Sequence, residues 1–200
     1  GSFSDHWSST QETPVYTVSF EGETIQAESG RRYRVADDGT GHFAGVAEVT
    51  HIVANKGNGN YSLENLSVNN NNGYEGFFVP TQCGQETVLG GWSLLVVYSH
   101  EAEDFRVVNL FEGFLEFQYD SITLNPSNFE IPDSPINGKL AHVTWEGDPN
   151  LNGTDENLSF NENILFDNIN PVNNQFNSKS TIVDPPDTDS YGVDFDAYDV

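Results

Sequence analysis

Trp92-Ser93-Leu94-Leu95-Val96-Val97-Tyr98 is the most apolar run of the chain, and neither of its faces is polar. It reads as a central strand covered on both sides. On either side of it lie short alternating runs separated by clusters of Gly, Asn, Asp and Pro. The strand candidates are Val15–Phe20, Gly22–Gln26, Tyr33–Ala36, Tyr61–Val68, Ser93–Ser99, Arg106–Phe111, Phe114–Ile122, Gly138–Trp145, Leu158–Phe160, Asn163–Phe166 and Lys179–Val183. So many short strands at this spacing predict an all-β fold, a β-sandwich or jelly-roll-like arrangement of antiparallel sheets with long Asn/Asp-rich loops. One segment departs from the pattern. Phe43, Val46, Ala47, Val49, Thr50, Ile52 and Val53 recur at helical spacing, and Lys56-Gly57 closes the run. A single short helix is expected there, packed on an end or edge of the sandwich.

With 200 residues the chain suits one large all-β domain or two small ones. An apolar fraction of 36% and a formal charge of −24 would by themselves suggest disorder. Against that stand 14 Phe, 8 Tyr and 3 Trp, which a disordered chain does not carry. The fold must then hold 31 carboxylates against 7 Lys and Arg, and the self-repulsion calls for neutralising cations. Nucleic acid and anionic membrane are excluded as partners, because little here could neutralise phosphates. Cys83 is the sole cysteine, which rules out an intrachain disulfide, and no stretch approaches 18 apolar residues. Gly1-Ser2 reads as an expression scar. Residues 3–200 are expected to form one calcium-binding domain, with 184–200 an acidic segment ordered by metal.

Two stretches carry a metal signal. In Asp148-Pro-Asn150-Leu-Asn152-Gly153-Thr-Asp155-Glu156, oxygens at the first, third and fifth positions precede a glycine, as in the first half of a calcium loop. Ser159 stands where an EF-hand needs its bidentate Glu, so the set would be completed by Asp155, Glu156 or a carboxylate from another strand. The alternative is an Asx-rich turn without metal. The second stretch holds Asp184, Asp187, Asp189, Asp194, Asp196 and Asp199. Alternation in Asp187-Thr-Asp189 and Asp194-Phe-Asp196 points carboxylates to one side of an extended chain, an unfavourable arrangement unless a cation sits among them. A terminal strand capped by calcium is expected, against a solvated linker that Pro185-Pro186 would favour. Asp37-Asp38-Gly39-Thr40-Gly41 is a turn signal first and a ligand site second. Other Asn clusters read as turn builders.

Catalytic signals are wanting. His6, His42, His51, His100 and His142 show no zinc spacing, and no nucleophile elbow, P-loop or dinucleotide fingerprint occurs. The chain reads as a binder and not an enzyme. Loop aromatics offer a recognition platform: Trp7, and Tyr74 within Asn72-Gly-Tyr-Glu75, where Asn72, Tyr74 and Glu75 are the candidate ligand-binding residues.

The order of segments resembles a known domain type. It runs Val46-Ala-Glu-Val-Thr-His-Ile-Val53, Asn58-Gly-Asn-Tyr-Ser-Leu-Glu-Asn-Leu66, Gly90-Gly-Trp-Ser-Leu-Leu-Val-Val-Tyr98 and Arg106-Val-Val-Asn-Leu-Phe-Glu-Gly-Phe114. Glu146-Gly-Asp148, Asn173-Asn-Gln-Phe-Asn-Ser178 and Tyr191-Gly-Val-Asp-Phe-Asp-Ala-Tyr-Asp199 complete it. From about Tyr33 to Val200 this is similar to the calcium-dependent peptide-binding modules of large RTX-type bacterial biofilm adhesins. The resemblance implies a secreted or cell-surface module, monomeric within a larger chain, that loads several Ca2+ ions and grips a peptide or protein on another cell. It implies a structural metal role for Asp148, Asn150, Asn152, Asp194, Asp196 and Asp199. The alternatives are a calcium-dependent carbohydrate-binding module and a calcium-rigidified spacer of a surface fibre.

Overall fold

In the computed structural model, which describes residues 2–8, 14–37, 40–66, 90–115, 117, 120–131, 137–145, 147–149, 156–190 and 192–200, the chain divides into two compact units. Unit 1 spans Gly1–Glu130 and unit 2 spans Ile131–Val200. Unit 1 carries β1 (Ser2–Ser8), β2 (Thr17–Phe20), β3 (Glu23–Gln26), β4 (Arg32–Asp37), β5 (Thr40–Val46), α1 (Thr50–Lys56), β6 (Leu63–Glu64) and β7 (Gly90–Ser93). Unit 2 carries β8 (Lys139–Trp145), β9 (Leu158–Phe160), β10 (Asn163–Leu165) and β11 (Val193–Asp199).

In unit 1 the alternation of β2 sends Val18 and Phe20 inward, each 2% exposed. The β2–β3 hairpin closes on Phe20↔Glu23 through Glu21 and Gly22, both at positive φ (52° and 80°), as a tight two-residue turn requires. β6 pairs on the other side of β2, giving the order β3-β2-β6. A second sheet has the order β4-β5-β1-β7, all antiparallel, with β5 paired to both β1 and β4. Phe43 of this sheet packs with Val18 and Ala27, its ring edge-on to Tyr16 at 5.3 Å.

The helix is shorter and later than the spacing predicts. Phe43–Val46 belongs to β5, and only Thr50–Lys56 coils. A seven-residue helix is not self-supporting, so packing must hold it. Val49 and Ile52 are buried against Phe20, with Val53 beside them. Gly57, at φ 69°, ends the helix and donates its N–H to Val53 O (2.8 Å). Phe20 in turn stacks on Tyr61 and meets Trp92 edge-on, each at 5.7 Å.

Unit 2 has two antiparallel pairs, β10-β9 and β11-β8. The β9–β10 hairpin turns through Asn161 and Glu162, again both at positive φ. Among its described residues the apolar interior is small: Leu165 and Tyr198 are buried, whereas the other buried side chains are Asn, Gln, Ser and Asp.

The expected β-sandwich or jelly roll is therefore corrected. Among the described residues the fold is mostly β, with several open sheets, no closed barrel and one short helix. The decisive stretch is the one that looked most like a central strand. Only Trp92 and Ser93 of it lie in a ladder, and Leu94–Tyr98 pairs with no strand. Arg106–Phe111 and the described residues of Phe114–Ile122 likewise form none. A strand needs a partner in register, and a run apolar on both faces lacks the alternation that sets register. Val15–Phe20, Gly22–Gln26, Tyr33–Ala36 and Gly138–Trp145, which alternate, do find partners.

Candidate functional site

Unit 2 is organised around β11, whose inward positions carry Asp194, Asp196 and Tyr198 where an ordinary strand would carry aliphatics. Antiparallel pairing with β8 sets Asp194 opposite Thr144, Asp196 opposite His142 and Tyr198 opposite Leu140. Asp194 and Asp196 are both 0% exposed. The segment 170–181 supplies their donors. Asp194 Oδ1 accepts the backbone N–H groups of Asn177 (2.7 Å) and Lys179 (3.2 Å). Asp196 Oδ1 accepts the N–H and the hydroxyl of Thr181, both at 2.9 Å. The Tyr198 hydroxyl accepts from Asn170 Nδ2 (3.1 Å) and from Gln175 Nε2. Asn177 Nδ2 bonds Ile169 O (2.9 Å) and Asn174 O (3.2 Å), and Ser178 Oγ bonds Gly147 O.

Amide nitrogens are thus spent while oxygens are left over. Asp194 Oδ2, Asp196 Oδ2, Glu156 Oε2 and the side-chain oxygens of Asn170, Asn174, Gln175 and Asn177 accept no hydrogen bond, and His142 Nε2 is also unpartnered. Acceptors crowded without donors disfavour negative charge. Burial, only partly offset by its N–H donors and reinforced by Asp196, pushes Asp194 up to about 6. Burial, then the charges of Asp148 and Asp194, raises Glu156. Burial lowers His142 despite the nearby Asp196, and burial pushes Tyr198 up to about 12. The arrangement can hold a proton on a carboxyl group that would otherwise be ionised. Its oxygens are enclosed.

The several calcium ions expected from the acidic stretches are overturned. Among the described residues, no group of three or more His, Cys, Asp and Glu side chains is gathered so as to hold a metal ion. Strand parity explains part of this. Asp194 and Asp196 share the inner face, but Asp199 falls on the other parity, exposed, with Lys139 Nζ 3.6 Å from its carboxylate. Asp187 and Asp189 are exposed too. The Asp187 backbone bridges Ser180, and its carboxylate takes the Asp189 N–H (3.0 Å) in an Asx turn. Asp148 is exposed, its N–H bonded to Phe176 O (3.0 Å), and Glu156 bridges Asn174 through its backbone. Asn150, Asn152 and Asp155 lie outside the described residues, as do Cys83 and the candidate ligand residues Asn72, Tyr74 and Glu75. Trp7 lies in β1, not in a loop.

Sequence reasoning missed two features. The run Asn173-Asn-Gln-Phe-Asn-Ser178 looked like turn chemistry, yet Asn174, Gln175, Asn177 and Ser178 are buried and line the acid pair. Its lack of charge in so acidic a chain was the available signal. The other feature lies in unit 1, where Leu95–Val97 and most apolar residues of 105–115 stand open to solvent. Phe105 is 93% exposed and Tyr98 79%. Soluble monomers rarely expose such contiguous apolar surface unless something binds it. Side chains pin this stretch near its end: Glu112 receives Arg31 Nε on both carboxylate oxygens (3.0 Å each) and the Tyr33 hydroxyl (2.7 Å), and the Phe111 ring meets Phe129 edge-on at 6.2 Å. Arg31, foremost, holds the Glu112 carboxyl below its usual range.

No protein-family model matches the chain, and neither do the curated proteins or the solved structures compared with it. Among the described residues, no helix is long and apolar enough to cross a membrane.

Proposed function

We propose that this chain is a ligand-binding module of a bacterial surface adhesin, secreted or displayed at the cell surface, and that it holds a peptide or protein on another cell. The observation that carries this reading is the pair of exposed apolar runs between Leu95 and Leu115, hydrophobic on both parities and lacking strand partners among the described residues. Surface of this kind suits partners that bury side chains and backbone together, as polypeptides do. The likeness of the segment order to adhesin modules supports the setting. A peptide array and a glycan array probed in parallel with the 200-residue chain, in EDTA, test it. Peptide spots should be bound and glycans ignored. Binding confined to glycans, or to neither array, defeats the reading.

A further inference from the structure

We propose that the stretch Leu94–Leu115 of unit 1 binds a cationic polypeptide segment by strand addition, its open backbone pairing with the partner's. This rests on the peptide-binding reading above and names the place and the partner's chemistry.

The first observation is the backbone. Among the described residues, the main-chain N–H groups between Leu94 and Leu115 make two hydrogen bonds, Glu103 N–H to His100 O (3.1 Å) and Ala102 N–H to His100 Nδ1 (3.2 Å). Both lie in the turn at His100–Glu103. Among the described residues, donors and acceptors on either side of it have no protein partner, and unpaired backbone of this kind is a template for an added strand. The second observation is composition. Val96-Val97-Tyr98 and Phe105-Arg-Val-Val-Asn-Leu-Phe111 are rich in β-branched and aromatic residues, the types that suit a pleated sheet once a neighbour is supplied. Val97, Tyr98, Phe105, Val108 and Leu110 are all exposed, so an added strand would find side chains to bury on both faces. The Glu112 clamp to Arg31 and Tyr33 and the edge contact of Phe111 with Phe129 hold the stretch through side chains without occupying its backbone.

The third observation selects the occupant. Glu101, Glu103 and Asp104 crowd the turn between the two apolar runs and are exposed; Arg106 pairs loosely with Glu103 (3.9 Å), which leaves the turn net acidic. A second copy of this chain, itself at −24, would meet like charge. A strand that alternates apolar side chains with Lys or Arg meets opposite charge and gains the unpaired backbone.

The test uses the full chain and defined probes. An end-capped decapeptide alternating Val and Lys is titrated by fluorescence anisotropy, beside an alternating Val–Glu decapeptide and a Val–Lys version with proline at alternate Val positions. The Val–Lys peptide should bind, and its Kd should rise at least tenfold between about 50 and 300 mM salt. The Val–Glu and proline peptides should bind at least tenfold more weakly. Val108→Pro and Leu110→Pro delete N–H groups that bond nothing in the free protein, so the melting temperature should hold while Val–Lys binding falls at least tenfold. Equal binding of both charge types, indifference to the proline variants, or self-association abolished by Val108→Pro overturns the inference. The array above, repeated with Val108→Pro, separates the two claims. Peptide hits that survive the substitution defeat strand addition here but leave the peptide-binding reading intact; no hits with wild type defeats both.

Discussion

Asp194 makes the stability of β11 depend on pH in a direction that is unusual for a carboxylate. Its folded value of about 6 lies above the ordinary 3.8, because burial penalises the anion more than its backbone N–H donors can repair, and the nearby Asp196 charge adds to the penalty. Below pH ~4 both folded and unfolded chains hold the proton and nothing is lost. As pH rises from about 4 to 6 the unfolded chain gives up its proton while the folded one keeps it, so stability falls by ~1.4 kcal/mol per pH unit, or ~3 kcal/mol in all. Above pH ~6 the penalty is constant. Glu156, also raised, acts in the same direction. His142 opposes it. Held below 6.5 by burial, it contributes stability above 6.5 that is lost as pH falls through its folded value.

Asp194→Asn isolates the carboxyl group from these neighbours. The amide keeps an oxygen for the N–H groups of Asn177 and Lys179 and removes the titration. Hydrogen exchange read by mass spectrometry over Val193–Asp199, corrected for intrinsic rates, gives the opening free energy of β11 from pH 4 to 7.5. The wild-type minus variant difference should decline by ~3 kcal/mol between pH 4 and 6 and then level. A flat difference curve, or one that rises with pH, refutes the account of a strained buried anion.

Other substitutions test single contacts. Gly147→Ala would set a methyl group 2.0 Å from Asp194 Oδ2, on a buried carboxyl group anchored through Oδ1 by two backbone N–H groups, and 2.8 Å from the Ser178 nitrogen. It should cost unit 2 more than the ~1–3 kcal/mol of ordinary overpacking, read as lost exchange protection in β8 and β11. Tyr198→Phe strands the buried amide N–H groups of Asn170 and Gln175, at ~1–3 kcal/mol each, and chemical denaturation should show the shift. Phe20→Ala removes the ring shared by β2, α1 and Trp92, and should lower unit 1 stability by ~3–5 kcal/mol with loss of α1 signal in circular dichroism.

Local features were legible in the sequence where one face is apolar and the other is not. Val15–Phe20 and Gly138–Trp145 alternate, and both became paired strands. The reversal between β4 and β5 was legible in Asp37-Asp38-Gly39-Thr40-Gly41 because short polar residues favour turns, and Asp37 pairs with Thr40 where the two strands meet. What could not be read was pairing between distant segments. β1 with β5, and β11 with β8, join residues tens of positions apart, and no local pattern names the partner. The site suffered in the same way. Alternate aspartates in β11 correctly signalled a shared face, but nothing local showed that 170–181 would meet that face with backbone N–H groups.

The formal charge of −24 asked for cations, and the fold answers it mostly with water. Asp184, Asp187, Asp189 and Asp199 are exposed, and so are Glu101, Glu103 and Asp104. Repulsion among such groups crosses solvent and is screened over ~8–10 Å at physiological ionic strength. Simple monovalent salt therefore relieves it without a bound ion. Asp194 and Asp196 differ in kind, because no mobile ion can come between two fully buried groups and the dipoles around them. Raising NaCl from about 0.05 to 0.5 M should stabilise both units smoothly, while the step that Asp194 imposes between pH 4 and 6 keeps its height. A step that shrinks with salt would mean that solvent reaches the carboxyl group, and that its raised value comes from surface charge instead of burial.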